Sequence, residues 1–491
     1  MIKKMLKDIY YSELSKKLGV FRHPMILKIQ YILKKMKIYI RNRKRLNEIQ
    51  DIVNGKKELD NEYLGNNTNQ LLRDISIVNP KLWAAFLDKI HTTNFKRLKD
   101  KEKVNVAFLC NLSATWSCDE LFQKYLKSEK YHPYVVVTHF YNGTPTTIEE
   151  AVHKTYEWFK NKGYEVYTDY DYELKKFNTL EDLLDPDILF HLSPYYTAFH
   201  ENWNVLNFPL SKININIPYG IYVAELSEAQ YNLDSFSAYW RIFDLPIYAR
   251  MAPKHTPLGN ANRVGSGYCK LDVLYDPNIN CSEELIWKKL SPEAVKIIYA
   301  PHHSIGEMGQ RFSTFDKNYD VIYQLASEMR QTTSWVLKPH PLLEKATVEA
   351  GLFANENEYK EYLRKWEDLP NATVITGGDY FDLFKSSDAM ILDSDSFLAE
   401  YLFVNKPMLL LSRPTQQFSE LGKPLSKVLY KTGGEDIQGI KAFVENVVID
   451  EKDNLLEDRN TFFDNYLNYY KENNVLATEY IYDYVHSCLE Q

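Results

Sequence analysis

The chain lacks the cysteine patterns on which small secreted folds and zinc sites are built. Its 491 residues include five cysteines, an odd number without a Cys-x-x-Cys pair, so neither a disulfide framework nor a zinc site is encoded. We therefore expect a reducing, cytoplasmic compartment. The sequence also lacks a run of about 18 to 20 apolar residues, the length that a membrane-spanning helix needs. Its start, MIKKMLKDIYYSEL, has no apolar core or small-residue cleavage site, so we expect no secretory signal.

Motifs of several common enzyme classes are missing as well. There is no P-loop, no G-x-S-x-G elbow and no H-E-x-x-H zinc motif. The glycine-rich stretch GSGYCKLD at 265–272 does not have the G-x-G-x-x-G spacing, which argues against dinucleotide binding. No acid or cysteine stands at a regular spacing from the paired histidines 302 and 303, so we expect no metal and no other cofactor.

What is present is the composition of a globular protein, 45% hydrophobic and 25% charged. The pattern of predicted secondary structure changes at residue 104. From there, short β-rich runs alternate with helical stretches, which predicts two mostly parallel, buried sheets. We predict an α/β protein with two tandem doubly wound Rossmann-like domains, in which ligands bind beyond the carboxyl ends of the strands. The predicted strands are 104–111, 132–140, 164–170, 187–193 and 212–218, then 295–303, 334–341, 372–378, 389–394 and 407–412. The predicted units are a helical extension (1–100), an N-terminal domain (101–275), a C-terminal domain (290–450) and a last helix (455–491) that packs back across the junction.

The extension is strongly basic, although the whole chain has a net charge of -7. Residues 1–50 hold fourteen Lys or Arg against three acids, and apolar residues recur at helical spacing after Pro24. One interpretation is that residues 1–47 lie on an anionic membrane surface. The other is a charged helix packed on its own protein. Nucleic acid is disfavoured, because no matching motif or basic groove follows.

Polar residues follow three predicted strands of the second domain. One strand ends at Asp393 and is followed by Ser394, Asp395 and Ser396, which open a predicted helix from 397 to 405. Free backbone N–H groups and hydroxyls at a helix N-terminus can bind phosphate, although Ser and Asp also cap ordinary helices.

Histidines follow the other two strands. His340 lies between Pro339 and Pro341, which restrict its backbone and favour a role in diphosphate binding or proton transfer. His302 and His303 are adjacent, and because side chains alternate along a strand we expect only one of them to face the cleft.

These segments, in this order, resemble the CDP-glycerol glycerophosphotransferase family, whose members build wall teichoic acid and capsule polymers on a two-domain GT-B fold. The resemblance spans roughly residues 210–430. It is carried by Tyr-Ala-Pro-His at 299–302, Lys-Pro-His-Pro at 338–341, the run 387–396 with Asn-Lys-Pro at 405–407, and the segment 267–272, which is similar to the family's Gly-Tyr-Pro-Arg-x-Asp.

The resemblance implies that His340 and Ser396 bind the donor's diphosphate, and that Asp393 and Glu400 shape the nucleotide pocket. It implies a metal-independent transfer of glycerol phosphate or a related group. The group would pass from a nucleotide-activated donor such as CDP-glycerol to a hydroxyl of a polymer or lipid-linked glycan. Ser394, Asp395 and Lys338 are further candidates for phosphate binding.

Three positions depart from the family's pattern. Tyr219 stands where the family has a histidine base, and a tyrosine with a pKa near 10 is a poor base at neutral pH. Ser304 stands near the family's arginine, so Arg311 is the remaining candidate for a phosphate clamp. Asp395 replaces a serine and would repel a diphosphate unless it is hydrogen-bonded. The candidates for the missing base are His302, His303, Asp395 and Glu225.

We therefore predict a transferase of bacterial surface-polymer synthesis, cytoplasmic and peripheral on the inner face of the membrane. Two alternatives stay open. One is a nucleotide-sugar glycosyltransferase on the same fold, and the other is a catalytically silent GT-B protein that binds a ligand or serves as a scaffold.

Overall fold

The computed structural model describes residues 24–491 except for 67–68, 140–144, 194, 196–198, 226–233, 257, 276–285, 307–310 and 378–379. Residues 1–23 of the basic extension, and residues 276–285 between the two predicted domains, thus lie outside the described residues. Within those residues, no helix is both long enough and apolar enough to span a bilayer.

The extension is helical, as expected, and packs on the N-terminal domain. Its helices are α1 (Pro24–Val53), α2 (Asn61–Asn66), α3 (Asn69–Val78) and α4 (Pro80–Lys99). The Asn79 side chain accepts a hydrogen bond from Leu82 N and caps α4, in which Pro80 occupies the first turn. Trp83 is fully buried, and its indole N–H donates to Ser237 O over 2.9 Å. This helical layer therefore shares its core with the domain that follows.

The two halves of α1 differ in what they contact. Leu46, Ile49 and Ile52 are buried in one cluster with apolar side chains of the other helices of the extension. Between residues 31 and 40, where Ile38 is buried, six large apolar side chains are exposed: Tyr31, Ile32, Leu33, Met36, Tyr39 and Ile40. The interpretation of a helix packed on its own protein therefore describes the end of α1, and not the exposed side chains between residues 31 and 40.

The N-terminal domain is built on a parallel sheet of seven strands among the described residues, in the order β3-β2-β1-β6-β7-β8-β9. Continuous apolar runs form these strands because helices cover both faces. The strands are β1 (Val104–Cys110), β2 (Tyr131–Val137), β3 (Val166–Thr168), β6 (Ile188–His191), β7 (Ile213–Asn216), β8 (Arg241–Asp244) and β9 (Arg263–Gly265), with a separate hairpin of β4 (Tyr170–Asp171) and β5 (Lys176–Phe177). The helices of this domain are α5 (Asp119–Leu126), α6 (Pro145–Asn161) and α7 (Pro246–His255).

The C-terminal domain contains six parallel strands in the described chain, in the order β12-β11-β10-β13-β14-β15. They are β10 (Val295–Ala300), β11 (Thr333–Leu337), β12 (Ala372–Val374), β13 (Ala389–Leu392), β14 (Met408–Ser412) and β15 (Tyr430–Gly433). The helices are α8 (Phe315–Glu328), α9 (Leu343–Glu349), α10 (Glu356–Glu367), α11 (Phe381–Ser386), α12 (Phe397–Glu400), α13 (Gly422–Leu425), α14 (Ile437–Ala442), α15 (Leu456–Tyr466), α16 (Tyr469–Asn473) and α17 (Ala477–Glu490). The strand order reverses between β10 and β13, the position at which open α/β sheets bind ligands.

The last helix, α17, packs against the N-terminal domain. Tyr482 packs edge-on against Tyr125 with ring centroids 5.1 Å apart, and His486 Nδ1 lies 2.9 Å from the Tyr131 hydroxyl. The Asp272 carboxylate accepts from the Thr478 backbone N–H over 2.7 Å, which caps α17. The segment 267–272 is therefore a structural joint between the end of the first domain and the last helix.

Two local predictions need correction. The predicted helix from 397 to 405 is an α-helical turn, Phe397–Glu400, followed by a 3₁₀ turn, Tyr401–Val404. It stops at Asn405, which has a left-handed φ of 50°. The strands β8, β9 and β15 were not predicted, because their sequences RIFD, RVG and YKTG mix apolar residues with charged residues or glycine.

Candidate active site

The site is built where β10, β11 and β13 end next to one another. β10 pairs with β11 on one side and with β13 on the other, all in parallel, so their carboxyl ends lie at one edge. The three motif segments follow these strand ends directly. His340 N donates to Pro301 O over 3.1 Å, which joins the segment after β11 to the segment after β10. The fold thus brings together residues that are separated by up to about ninety positions.

Three imidazoles meet at this edge. The ring centroids of His303 and His340 are 4.1 Å apart, and those of His302 and His303 are 4.3 Å apart. Both of the adjacent rings join the cluster, although strand geometry stops at Ala300 and the regular alternation of side chains stops with it. His302 is buried and His303 is half-buried, and that only one of them faces the cleft stays a prediction.

All three histidines are held uncharged at neutral pH by burial. Desolvation lowers the pKa of His303 to about 4 and that of His340 to about 3, with the neighbouring histidine and Lys338 adding to the effect at His340. The pKa of His302 also lies well below its usual value, because this ring is fully buried beside the other two. The cluster therefore offers neutral imidazoles rather than positive charge.

Hydrogen bonds fix the orientation of two of the rings. His302 Nδ1 lies 2.7 Å from the Ser304 hydroxyl, and this hydroxyl accepts from Phe312 N over 2.9 Å. His340 Nδ1 accepts from Leu342 N over 3.0 Å. The other nitrogen of each ring is left for the interior of the cluster or for a ligand.

Asp393, directly after β13, is hydrogen-bonded to the backbone of the histidine cluster. One carboxylate oxygen accepts from His302 N over 2.6 Å, and the other accepts from the Thr314 hydroxyl over 2.8 Å. The side chain is fully buried, and desolvation raises its pKa to about 6. In this position Asp393 holds the end of β10 against β13. A contact with the nucleotide stays a prediction.

The turn after β13 presents two serines and one aspartate. No hydrogen-bond partner is found for the Ser394 and Ser396 hydroxyls in the described part of the chain. Asp395 Oδ1 accepts from Val223 N over 2.9 Å and from Ala224 N over 2.7 Å. This carboxylate is therefore hydrogen-bonded to the backbone of the other domain. Such bonding is what a diphosphate near Asp395 requires, because a carboxylate without hydrogen bonds would repel it.

Segment 222–225 connects the two domains. Ala224 forms an antiparallel bridge with Phe418, and Ser419 N donates to Val223 O over 2.7 Å. Gly422 lets the two backbones approach, because a Cβ there would lie 2.2 Å from Val223 O. Glu225, a candidate base, follows this contact with an exposed side chain, and its N–H donates to Gln417 O.

Tyr219 lies three residues after the end of β7 in the N-terminal domain, and the next residue, Gly220, lies beside Ser396. A Cβ on Gly220 would be 3.6 Å from the Ser396 Cβ, and the Tyr268 hydroxyl donates to Gly220 O over 2.6 Å. Burial, with Tyr195 and Asp395 adding to it, raises the pKa of Tyr219. Its hydroxyl therefore stays protonated and is not available as a base.

The remaining predicted residues surround the cluster. The buried Lys338 ammonium donates to Gly377 O over 3.3 Å. Glu400 is buried and accepts from the Tyr380 hydroxyl. Arg311 is exposed with a left-handed φ of 58°, and its carbonyl accepts from Thr415.

Sequence reasoning missed His139 and Asp169, which pair in the N-terminal domain. His139 Nδ1 lies 2.5 Å from the fully buried Asp169 Oδ1, and its Nε2 lies 3.3 Å from the Tyr172 hydroxyl. The available signal was positional, since His139 follows β2 and Asp169 follows β3, which are adjacent parallel strands.

A cavity of about 760 Å³ lies beside the edge strand β3, between α6 and the β4–β5 hairpin. Its lining includes four tyrosines, four acids and no Lys or Arg among the described residues. The tyrosines are Tyr156, Tyr167, Tyr170 and Tyr172, and the acids are Glu149, Glu150, Glu157 and Asp171.

Comparison with known proteins agrees with this architecture. Residues 231–487, slightly more than half of the chain, match the model of the family described as CDP-Glycerol:Poly(glycerophosphate) glycerophosphotransferase. No curated protein is similar enough to the chain to count as a match.

Solved structures share the fold at low identity. The Wall Teichoic Acid Polymerase TagF is 14% identical with a TM-score of 0.53, over 86% of this chain and 97% of that chain. A TagF variant soaked with CDPG is 12% identical with a TM-score of 0.50, over 86% and 97%. A putative UDP-N-acetylglucosamine 2-epimerase from Listeria monocytogenes is 13% identical with a TM-score of 0.50, over 78% and 96%. These likenesses show a GT-B fold with two facing Rossmann-like domains.

Proposed function

The chain belongs to the CDP-glycerol:poly(glycerophosphate) glycerophosphotransferase family. We therefore propose that the segments after β10, β11 and β13, at the carboxyl ends of these strands, bind the diphosphate of CDP-glycerol. The supporting observation is the convergence of His302, His303 and His340 beside the Ser394 and Ser396 hydroxyls, which have no partner among the described residues. Neutral imidazoles and hydroxyls can donate hydrogen bonds to phosphate oxygens. Placed at the leaving group, they offset the charge that develops there.

The proposed reaction is a phosphoryl transfer. The acceptor hydroxyl oxygen bonds to the phosphorus that carries glycerol, the P–O bond of the anhydride breaks, and CMP leaves with the electron pair. The hydroxyl proton passes to a base. Tyr219 does not serve as this base, since burial keeps its hydroxyl protonated.

Release of CMP from CDP-glycerol by the purified chain tests this proposal, with UDP-sugars and CDP-ribitol as competing donors. We expect His340→Ala and Ser396→Ala each to lower turnover by two orders of magnitude or more. His132→Ala is the matched control, because this half-buried histidine lies at the amino-terminal end of β2 and pairs with Glu165 on the surface. Full activity in both site variants, or release from a sugar donor only, would defeat the assignment.

For the acceptor, we propose a hydroxyl-rich chain that is uncharged where it contacts the N-terminal domain. The cavity beside β3 supports this, because tyrosine faces suit sugar rings and its carboxylates accept hydrogen bonds from hydroxyls. The same carboxylates repel phosphate groups. Four strand spacings separate β3 from β7, roughly 20 Å, a distance that an oligomeric acceptor can span.

Competing acceptors test this step. We expect neutral oligosaccharides to be better acceptors than poly(glycerol phosphate) of similar length, and Tyr172→Ala to raise the KM for the acceptor without changing that for CDP-glycerol. The proposal would be contradicted if poly(glycerol phosphate) were as good an acceptor as the neutral oligosaccharides, and if Tyr172→Ala left the acceptor KM unchanged.

We propose further that residues 31–40 of α1, whose apolar side chains are mostly exposed, bind an anionic membrane. Exposed Ile32, Met36 and Ile40 alternate with exposed Lys34 and Lys37, so one short segment supplies both apolar area and positive charge. Such binding would place the active site at the inner face of the cell membrane.

Sedimentation with vesicles containing anionic lipid tests this surface. We expect a variant with Ile32, Met36 and Ile40 changed to Asn to lose binding, while the control Leu174→Asn, which changes an exposed leucine elsewhere, keeps it. Equal sedimentation of the two variants would rule the surface out.

A further inference from the structure

A cleft of about 750 Å³ opens between α1 and α3, directly after the exposed apolar side chains of α1. Its lining includes four cationic side chains and one carboxylate, and we call it the basic cleft. The cations are Arg41, Lys44 and Arg45 of α1 and Arg73 of α3, and the carboxylate is that of Asp74. The cavity beside β3 has the opposite composition, with four acids and no Lys or Arg among its described lining residues. The two cavities are therefore suited to different ligands.

The carboxylate in the basic cleft is already neutralised by its neighbours. Asp74 is buried, and its Oδ2 lies 2.5 Å from Arg41 Nη2 and accepts from Asn42 Nδ2 over 2.9 Å. No ion pair is found for Lys44 or Arg45 in the part of the chain that the structure describes. Four cations and one carboxylate leave an excess of three positive charges in the cleft.

Packing fixes the two walls of the basic cleft relative to each other. Leu46 and Ile49 of α1 share a buried cluster with Leu72 and Ile75 of α3. Arg73 lies between two of these packed positions of α3 and is half-buried, so its backbone is held in the fold. The positive charges therefore lie in a prearranged cleft rather than along an isolated helix. Such an arrangement can select a ligand by shape as well as by charge.

We propose that the basic cleft binds a phosphate group that carries about two or more negative charges, as a phosphate monoester or a diphosphate does at pH 7. The excess of three positive charges in the cleft matches such a group, whereas a phosphodiester carries a single negative charge. Arginine suits this ligand, because its planar guanidinium forms two parallel hydrogen bonds with phosphate oxygens. The cleft is also larger than a phosphate group, so it has room for the molecule to which the phosphate is attached.

The place of the basic cleft on α1 makes a lipid headgroup one source of this phosphate, and this part of the inference rests on the proposed membrane binding. The exposed Ile40 lies four residues before Lys44. Residues four apart lie on the same face of a helix. If the apolar residues of α1 enter a membrane, Lys44 is thus brought to the level of the lipid headgroups. The other source is a soluble phosphate compound that reaches the cleft from solvent.

Sedimentation with vesicles tests the lipid source. Phosphatidylcholine vesicles that contain phosphatidic acid, a phosphate monoester, or phosphatidylglycerol, a phosphodiester, are prepared at equal surface charge and mixed with the full chain. For a lipid source, the wild type should bind phosphatidic acid vesicles about fivefold more tightly or better. Arg73→Gln should lose this preference and still bind both kinds of vesicle. Arg364→Gln, which removes an exposed arginine of α10, is the matched control and should keep the preference.

Calorimetry with inorganic diphosphate, at fixed ionic strength, tests the soluble source. For this source, the wild type should bind one more equivalent of diphosphate than Arg73→Gln, because binding at the donor site is common to both proteins. If Arg73→Gln is unstable in thermal unfolding, Lys44→Gln replaces it, since Lys44 is exposed. A difference in either assay supports the phosphate site and identifies its source. Identical behaviour of the wild type and the cleft variant in both assays would overturn the inference.

The proposed membrane surface and the basic cleft fail separately. If the variant with Ile32, Met36 and Ile40 changed to Asn still binds vesicles, the apolar surface is wrong and the cleft is unaffected. If that variant loses vesicle binding while Arg73→Gln behaves as the wild type in both assays, the cleft alone is wrong.

Discussion

Both domains place histidines of low exposure near the carboxyl ends of their strands, but within the described residues these histidines differ in their hydrogen bonding. In the N-terminal domain, His191 ends β6 and its Nε2 lies 2.9 Å from Asn214 Oδ1, while His139 is paired with Asp169. In the C-terminal domain, His303 has a buried nitrogen with no partner in the described chain. Burial lowers the pKa of His191 and of His303 alike, to about 4. His191 and His303 therefore share burial and a lowered pKa, and they differ in that a buried nitrogen of His303 has no partner among the described residues.

The largest effect that separates the two domains should be catalytic. His340→Ala is expected to lower kcat for CMP release at least 100-fold with little change in thermal stability. The reason is that we propose the ring to bind the diphosphate, and that among the described residues its hydrogen bond is to the exposed Leu342. A loss of activity that merely follows a loss of folded protein would contradict this distinction.

The reverse is expected for His191→Ala. Removal of this ring leaves the buried Asn214 oxygen unsatisfied, which should lower the free energy of unfolding by about 1 to 3 kcal/mol. The kcat of the folded fraction should stay within a factor of about three of the wild type, measured on protein first shown to be folded by circular dichroism. A 100-fold fall in kcat would make His191 part of the catalytic machinery.

A pH-dependent effect should follow from the low pKa of His303. The unfolded chain binds a proton near pH 6.5 and the folded chain only near pH 4, so this group destabilises the fold as the pH falls between these values. His303→Gln should reduce the slope of unfolding free energy against pH by up to about 1.4 kcal/mol per pH unit. Asp393, with its pKa raised to about 6, acts in the opposite direction but is common to both proteins. Identical slopes in urea titrations from pH 4.5 to 6.5 would show that His303 is charged in the folded state.

The smallest effect should be that of Tyr219→Phe. Its protonated hydroxyl is not a base, so kcat should change less than about threefold across pH 6 to 9. A loss comparable to that of His340→Ala would return Tyr219 to a catalytic role.

Much of the fold could be predicted from the sequence, because its signals are local. Uninterrupted runs such as VNVAFLC make buried parallel strands recognisable, and the motif order identified the GT-B architecture. The strands that were missed, β8, β9 and β15, contain charged residues or glycine, so tertiary pairing rather than local propensity defines them.

The site could be predicted only in part. The residues at each strand end were recognised, but their mutual geometry depends on the pairing of β10, β11 and β13. The hydrogen bonds from Val223 and Ala224 to Asp395 join positions about 170 residues apart, so no local pattern announces them. His302 and His303 lie two and three residues beyond the end of β10, where the alternation that holds within a strand no longer fixes the direction of a side chain.

The return of α17 to the N-terminal domain has a consequence for synthesis of the chain. Tyr125 and Tyr131 complete their contacts with Tyr482 and His486, and Asp272 gains its partners at Ala477 and Thr478. A ribosome that has made the first domain and even the whole second sheet has therefore not yet supplied the helix that covers the first. The N-terminal domain therefore completes its contacts only when α17 has been made. Until then Tyr125 and Tyr131 lack this cover and present an aromatic surface of the kind that chaperones bind.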